Sequence, residues 1–176
     1  MLTRGEEACS AWVLRFLPLI PRGGRALDLA AGGGRHTRLL LDRGYCVHAV
    51  DRNTAALAPL AGPNCTVEAI DLETSAPGPL GDRYDGIVVT NYLHRPLLPA
   101  MATALAPGGV LIYETFMLGN ERLRRPRSLE FLLRPGELLE AFGALTIAAF
   151  ERGEITSPYP AVIQRIVAVN GPPVLP

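Results

Sequence analysis

The sequence contains no lysine: all seventeen of its basic residues are arginine, set against seventeen acidic ones. That absence removes Schiff-base chemistry, the pyridoxal anchor and the P-loop lysine. The net charge is zero, so no global field draws the chain to nucleic acid, and none is expected as a partner; an anionic group would have to be met locally. Cysteine is scarce too. Cys9, Cys46 and Cys65 are odd in number and far apart, with no C-x-x-C pair for zinc or redox work, so no metal site is expected. Cys46 and Cys65 open apolar runs, where the expected role is a small buried hydrophobe, and a reduced, cytoplasmic setting fits. The N-terminus lacks the unbroken apolar core of a signal peptide. The longest charge-free run, Pro96 to Tyr113, is interrupted by Pro99, Pro107, Gly108 and Gly109, which divide it into a helix, a turn and a strand rather than a membrane span.

What is present is enough apolar material for one core. Of 176 residues, 48% are hydrophobic and 19% charged, which predicts a single domain over residues 1–170 followed by a frayed tail, 171–176. Strand-like and helix-like segments alternate, as in a parallel sheet covered by helices. An opening helix is expected over 6–20, a strand over Arg25–Leu29 and a helix over Arg35–Arg43, stopped by Gly44. A strand over Cys46–Val50, a helix over Thr54–Ala61 and a strand over Cys65–Ile70 follow. Ser75–Gly81 reads as a loop, Tyr84–Val89 as a buried strand and Leu97–Leu105 as a helix. Val110–Tyr113 is the next strand, and a polar, arginine-rich loop runs from Met117 to Glu130. Glu137–Phe142 is helical, and Leu145–Phe150 and Val162–Val169 complete the strands.

Three acids, Asp28, Asp51 and Asp71, fall at or next to the carboxyl ends of successive strands, where ligands bind in such sheets. Between the first two lies Ala30-Ala31-Gly32-Gly33-Gly34 at the amino end of a helix. Glycines there let backbone approach a ligand, and the free N–H groups favour a carboxylate or phosphate. An acid ending the second strand is placed to accept ribose hydroxyls. A nicotinamide dinucleotide is the rival ligand, but its pattern needs a small residue where Thr37 stands and has no use for Asp28.

At these residues the chain resembles the class I S-adenosylmethionine-dependent methyltransferases. Ala26-Leu-Asp-Leu-Ala-Ala-Gly-Gly-Gly-Arg35 resembles their first motif, Ile70-Asp71-Leu72 the adenine-side motif, Tyr84-Asp85-Gly-Ile-Val-Val-Thr-Asn91 the fourth, and Leu105-Ala-Pro-Gly-Gly-Val-Leu-Ile-Tyr113 the fifth strand with its entry turn. Thr90–Pro96 and Tyr113–Glu121 look like a subgroup of small bacterial enzymes similar in size to the tellurite-resistance methyltransferases. The resemblance implies a Rossmann-like, mostly parallel seven-stranded sheet with helices on both faces and one antiparallel strand. It implies S-adenosylmethionine as cofactor, with Asp28 and the Gly32, Gly33 and Gly34 backbone on its methionine part, Asp51 at the ribose, Asp71 and Leu72 at the adenine, Asn91 facing the transferable methyl, and Ala30 and Arg52 also among the cofactor-binding residues. Ala30 departs from the commonest first glycine of the motif.

Methyl transfer from a sulfonium is an in-line displacement in which holding and aligning the reactants supplies most of the catalysis. A soft anionic acceptor needs no base; a hydroxyl or ammonium must lose a proton. Three side chains are candidates on the acceptor side: His94 as the base, Glu114 at the fifth strand's end, and Tyr92 closing the pocket. Each has a plainer alternative: helix capping for His94, pairing with an arginine for Glu114, core packing for Tyr92. His36 and His48 are given no catalytic role. Arg122, Arg124, Arg125 and Arg127 either capture an anionic substrate or form a solvated loop paired with Glu121 and Glu130. The expected activity is methyl transfer to a small-molecule acceptor that the sequence does not identify, anionic if the arginine loop captures it, with a non-catalytic cofactor-binding module and a nicotinamide oxidoreductase as alternatives.

Overall fold

A computed structural model describes residues 9–74 and 78–172. It contains one seven-stranded sheet. The strands are β1 (Arg25–Leu29), β2 (Cys46–Asp51), β3 (Cys65–Ala69), β4 (Tyr84–Thr90), β5 (Leu105–Phe116), β6 (Thr146–Ile155) and β7 (Ala161–Val169). Their spatial order is β3-β2-β1-β4-β5-β7-β6. The pairs from β3 to β5 are parallel, while β7 runs antiparallel to both β5 and β6. This is the sheet that the resemblance implies. Strand order reverses between β1 and β4, the switch point at which ligands enter open α/β sheets.

The central strands bury both faces, so they read as nearly continuous apolar runs rather than alternating ones. On one face Trp12, Val13, Leu39 and Leu40 pack against Ala26, Ala49 and Val88; these side chains belong to α1 (Ala11–Phe16) and α2 (Arg35–Asp42) and to the strands beneath. On the other, Leu98, Met101, Leu138 and Phe142 of α3 (Leu98–Ala104) and α4 (Glu137–Phe142) cover Leu27, Ile87 and Leu111. Arg95 fastens this second layer. Its guanidinium bonds both Glu137 carboxylate oxygens at 2.6 and 3.1 Å and the carbonyls of Glu130 and Leu132 at 2.6 and 2.8 Å.

Two helices are shorter than their sequence pattern predicts. The opening helix covers only Ala11–Phe16 and tightens into a 3-10 turn at Leu17–Leu19, because Pro18 removes a backbone donor; residues 6–8 of that expectation lie outside the described residues. Thr54–Ala61 is not an α-helix. The Asn53 side chain accepts the Ala55 N–H, and Pro59 limits the segment to a 3-10 turn over Ala58–Leu60. The Ser75–Gly81 loop expectation is described only from Gly78, where Gly78–Gly81 is a 3-10 turn; of the predicted tail, 173–176 likewise falls outside. Cys65 is buried, but Cys46 is exposed as the first residue of β2, a correction to its expected burial. Among the described residues no helix is long and apolar enough to cross a membrane.

Candidate functional site

Two cavities border the strand ends. The first, about 250 Å³, is lined by Ala30 after β1, Asp51 and Arg52 at the end of β2, Ile70 to Glu73 after β3, and Tyr92 after β4. Four successive strand ends thus converge on one hollow. Its charged lining is three carboxylates, Asp51, Asp71 and Glu73, against the single guanidinium of Arg52.

Asp51 is fixed by backbone. One oxygen accepts the Gly32 N–H at 2.8 Å and the other the Asn53 N–H at 2.9 Å. A carboxylate offers about four acceptor positions, so two remain for hydroxyl donors. The glycine loop is shaped for close approach: a Cβ on Gly32 or Gly33 would meet no atom within 4 Å, whereas one on Gly34, at φ +76°, would strike the Leu57 side chain at 2.8 Å. Gly34 is also the residue from which α2 starts. Ala30 and Asn91, the first residues beyond β1 and β4, both hold left-handed backbone, at φ 58° and 56°, a conformation that costs a non-glycine residue.

Asp28 lies beneath the loop rather than in the cavity. It is 2% exposed and accepts the Thr37 hydroxyl at 2.6 Å. Burial pushes its carboxyl up to about 6, against the lowering effect of the Thr37 hydrogen bonds and Arg35. The sequence reading used Thr37 only to count against a dinucleotide; its structural part is to hold Asp28. Tyr92 contributes a wall of the first cavity, and its hydroxyl is buried without a protein partner. Burial, with Glu73, Asp71 and Asp51 adding to it, raises that phenol to about 12.

The second cavity, about 410 Å³, is lined by Asn91 after β4, by the start of α1 and by the end of β5. Phe116, Ile163 and Tyr159 give it apolar and aromatic walls, and Arg35, Glu114 and Arg165 line it with charge. Glu114 stands opposite Arg165 in the β5–β7 register and is paired with it at 3.1 Å; its other oxygen accepts the Ser10 hydroxyl at 2.9 Å. Of the two readings of Glu114, pairing with an arginine is therefore the arrangement present. His94 lines neither cavity and heads the 3-10 turn Arg95–Leu97 through its backbone carbonyl.

His36 lies in the first turn of α2 and His48 within β2; both are buried. The His48 ring bridges the Tyr84 hydroxyl at 2.7 Å and Glu68 at 2.8 Å. Arg122, Arg125 and Arg127 are exposed, as the solvated-loop reading expects, but the ion pairs of that reading are absent among the described residues. Glu121 accepts the Gly119 N–H and Glu130 the Ser128 hydroxyl, and among the described residues neither pairs with an arginine of the loop. Arg124 instead lies 3.6 Å over the Tyr159 ring, behind the wall of the second cavity. Sequence reasoning missed Glu73, Ser10, Arg35, Tyr159 and Arg165. Only Ser10 carried a local signal, a serine immediately before an apolar helix.

Residues 1–150 match the model of the methyltransferase domain family. No curated protein matches the chain. Solved structures share the fold. TehB from Haemophilus influenzae superposes with a TM-score of 0.74 at 20% identity, over 93% of this chain and 63% of that one, so the chain spans less than two thirds of that relative. The Burkholderia thailandensis 1,6-didemethyltoxoflavin-N1-methyltransferase, solved with 1,6-didemethyltoxoflavin and S-adenosylhomocysteine, gives 0.68 at 21% identity, over 92% and 77%. An S-adenosylmethionine-dependent methyltransferase from Mesorhizobium loti gives 0.70 at 18%, over 93% and 99%. With a match over most of its length and the sheet order described above, the chain belongs to the methyltransferase domain family, and its fold is that of S-adenosylmethionine-dependent methyltransferases.

Proposed function

We propose that the protein transfers a methyl group from S-adenosylmethionine to a small, anionic acceptor, with the cofactor's nucleoside in the first cavity and the acceptor in the second. The observation that carries this reading is the first cavity itself: three carboxylates and one arginine around a hollow whose Asp51 is bonded to the glycine loop. Carboxylates accept hydroxyls well and repel a pyrophosphate, which favours a nucleoside bearing an amino acid over a dinucleotide.

In this reading Asp51 accepts the ribose hydroxyls, Asp71 and the Leu72 backbone meet the adenine, and the Gly33 N–H receives the carboxylate end, the Gly32 and Gly34 N–H groups being taken by Asp51 and the Ala31 carbonyl. Asp28 supports the loop through Thr37 rather than by contact. Tyr92 closes the nucleoside side. S-adenosylmethionine, when bound, supplies an electrophilic methyl on a sulfonium sulfur. Asn91, in the wall of the second cavity and next in the chain to Tyr92 of the first, is the residue facing that methyl.

The second cavity favours an enzyme over a non-catalytic module, because an open hollow of about 410 Å³ beside Asn91 leaves room for an acceptor. Arg35 and Arg165 line it, Arg165 being held by Glu114 and Glu151; a guanidinium fork suits a carboxylate, and the aromatic walls favour an acceptor with an apolar body. Glu114, held by Arg165 and Ser10, serves this cavity as a fixed anion rather than as a base. An acceptor that ionises on its own, such as a carboxylate, needs no proton taken from it.

The test is calorimetric titration of S-adenosylmethionine, S-adenosylhomocysteine and NAD separately, followed by mass spectrometry of carboxylic and amine acceptors incubated with S-adenosylmethionine. Saturable binding of the first two without NAD, and methylation confined to acids, are the expected results. Preference for NAD would sink the cofactor assignment, and methylation of amines alone would sink the acceptor class.

A further inference from the structure

The wall of the second cavity is tied to the glycine-loop helix by a closed set of hydrogen bonds. Ser10 caps α1: its hydroxyl oxygen accepts the Trp12 and Val13 N–H groups. The same hydroxyl donates to Glu114. The Ser10 backbone N–H donates to His36 Nε2 at 3.1 Å, and the Cys9 thiol reaches the Arg35 carbonyl at 3.4 Å. Arg35 and His36 are the first two residues of α2, next after the glycine loop. His36 Nδ1 lies 3.4 Å from the Thr90 hydroxyl, and the Glu114 carbonyl accepts the N–H of Asn91. The ends of β4 and β5 and the starts of α1 and α2 are therefore linked through two side chains.

These contacts require a neutral imidazole, because only an unprotonated Nε2 can accept from Ser10. Burial, assisted by Arg35, lowers His36 to about 3, so the acceptor is in place throughout the neutral range. A helix of six residues has little stability of its own and takes its position from such anchors.

We propose that Ser10 and His36 are positioning residues that couple cofactor binding to the acceptor cavity, so that a ligand seated on the glycine loop resets α1 and with it the cavity wall. The inference rests on the cofactor reading above. Cys9, Ser10, Ala11 and Leu14 line the second cavity, and the first turn of α2 holds two of them. Movement of that turn when the loop closes on a ligand is transmitted by direct hydrogen bonds rather than by a long path. The consequence is a binding order, cofactor before acceptor.

The chain provides its own reporter. Its one tryptophan is Trp12, in α1, with the Arg165 guanidinium 4.6 Å over its ring and its Nε1–H directed at the Ile166 carbonyl at 3.4 Å. Titrating S-adenosylhomocysteine into the full chain is expected to change Trp12 emission with the same midpoint that calorimetry gives. His36→Leu is expected to bind the ligand within about threefold of the wild-type affinity while losing more than half of the emission change. Ser10→Ala should behave likewise, and Ser10→Thr, which keeps the hydroxyl, should restore the signal. If His36→Leu does not fold, the Ser10 pair decides the matter alone. Binding seen by calorimetry without an emission change, or a full change in both His36→Leu and Ser10→Ala, overturns the coupling and leaves the cofactor reading intact. No binding to the wild-type chain overturns both.

Discussion

Asp51, the last residue of β2, is joined to Gly32 of the loop after β1 by a 2.8 Å hydrogen bond from backbone to carboxylate. One side chain thus orders the glycine loop and faces the first cavity. Asp51→Ala removes both functions, and hydrogen bonds to a charged acceptor are worth about 1.5–3 kcal/mol each. S-adenosylhomocysteine should bind about 100-fold more weakly, roughly 2.7 kcal/mol. Asp51→Asn, which keeps one acceptor, should lose about tenfold, roughly 1.4 kcal/mol. Calorimetry on the two variants checks both.

Asp28 makes stability depend on pH in the direction opposite to that of a paired surface carboxylate. Its folded value, about 6, lies above the ordinary 3.8. Between those values the folded chain binds more proton than the unfolded one, so stability is full below about pH 4 and falls as pH rises to about 6. The loss is on the order of 3 kcal/mol. Asp28→Asn should abolish this slope while keeping an acceptor for Thr37. The difference between wild-type and variant melting temperatures from pH 4 to 7 measures it.

Arg95 and Glu137 form a buried anchor with unequal exposure, 37% and 7% for the two side chains. Glu137 is buried, yet the Arg95 and Arg134 contacts bring its carboxyl below the usual range. Arg95→Ala strands that carboxylate. A broken buried pair costs about 3–5 kcal/mol, and the solvent reaching Arg95 puts the expected loss near the lower end, about 3 kcal/mol. Urea denaturation of Arg95→Ala gives the value, with Arg95→Lys falling between.

Ala30 stands at φ 58° where the family motif has glycine most often. Left-handed backbone costs an alanine about 1–2 kcal/mol, and glycine gives back about 0.4–1 kcal/mol in unfolded-state entropy. Ala30→Gly should therefore stabilise the chain by about 0.5 kcal/mol. Ala30→Val, with a branched side chain that resists positive φ, should destabilise it. Denaturation midpoints of the two variants should move in opposite directions.

The sheet was legible wherever a strand was a short apolar run between glycine or proline signals: β1 begins at Arg25, β2 at Cys46, β3 at Cys65 and β4 at Tyr84, as their sequences indicate. The segment after Asp51 was not, because its alanines and leucines carry a helical period that the Asn53 turn and Pro59 override. Asp51 and Asp71 line the first cavity, where their places at local strand ends put them. Asp28 was read as a ligand contact because a sequence does not report that Thr37 turns back to cover it. The links from Ser10 to His36 and to Glu114 span 26 and 104 positions. Contacts at such separations arise from topology and leave no periodic trace.

The placement of β7 between β5 and β6 has a consequence for the birth of the molecule. Because β7 follows β6 along the chain, a ribosome delivers β5 and β6 before the strand that separates them. Until Ala161–Val169 emerges, β5 presents an apolar edge whose hydrogen-bonding groups have no partner, and Trp12 lacks the Ile166 carbonyl it points to. Such an edge invites adhesion to other nascent chains. Closure of the sheet therefore waits for β7, and the interval before β7 emerges is one in which a chaperone has an open edge to protect.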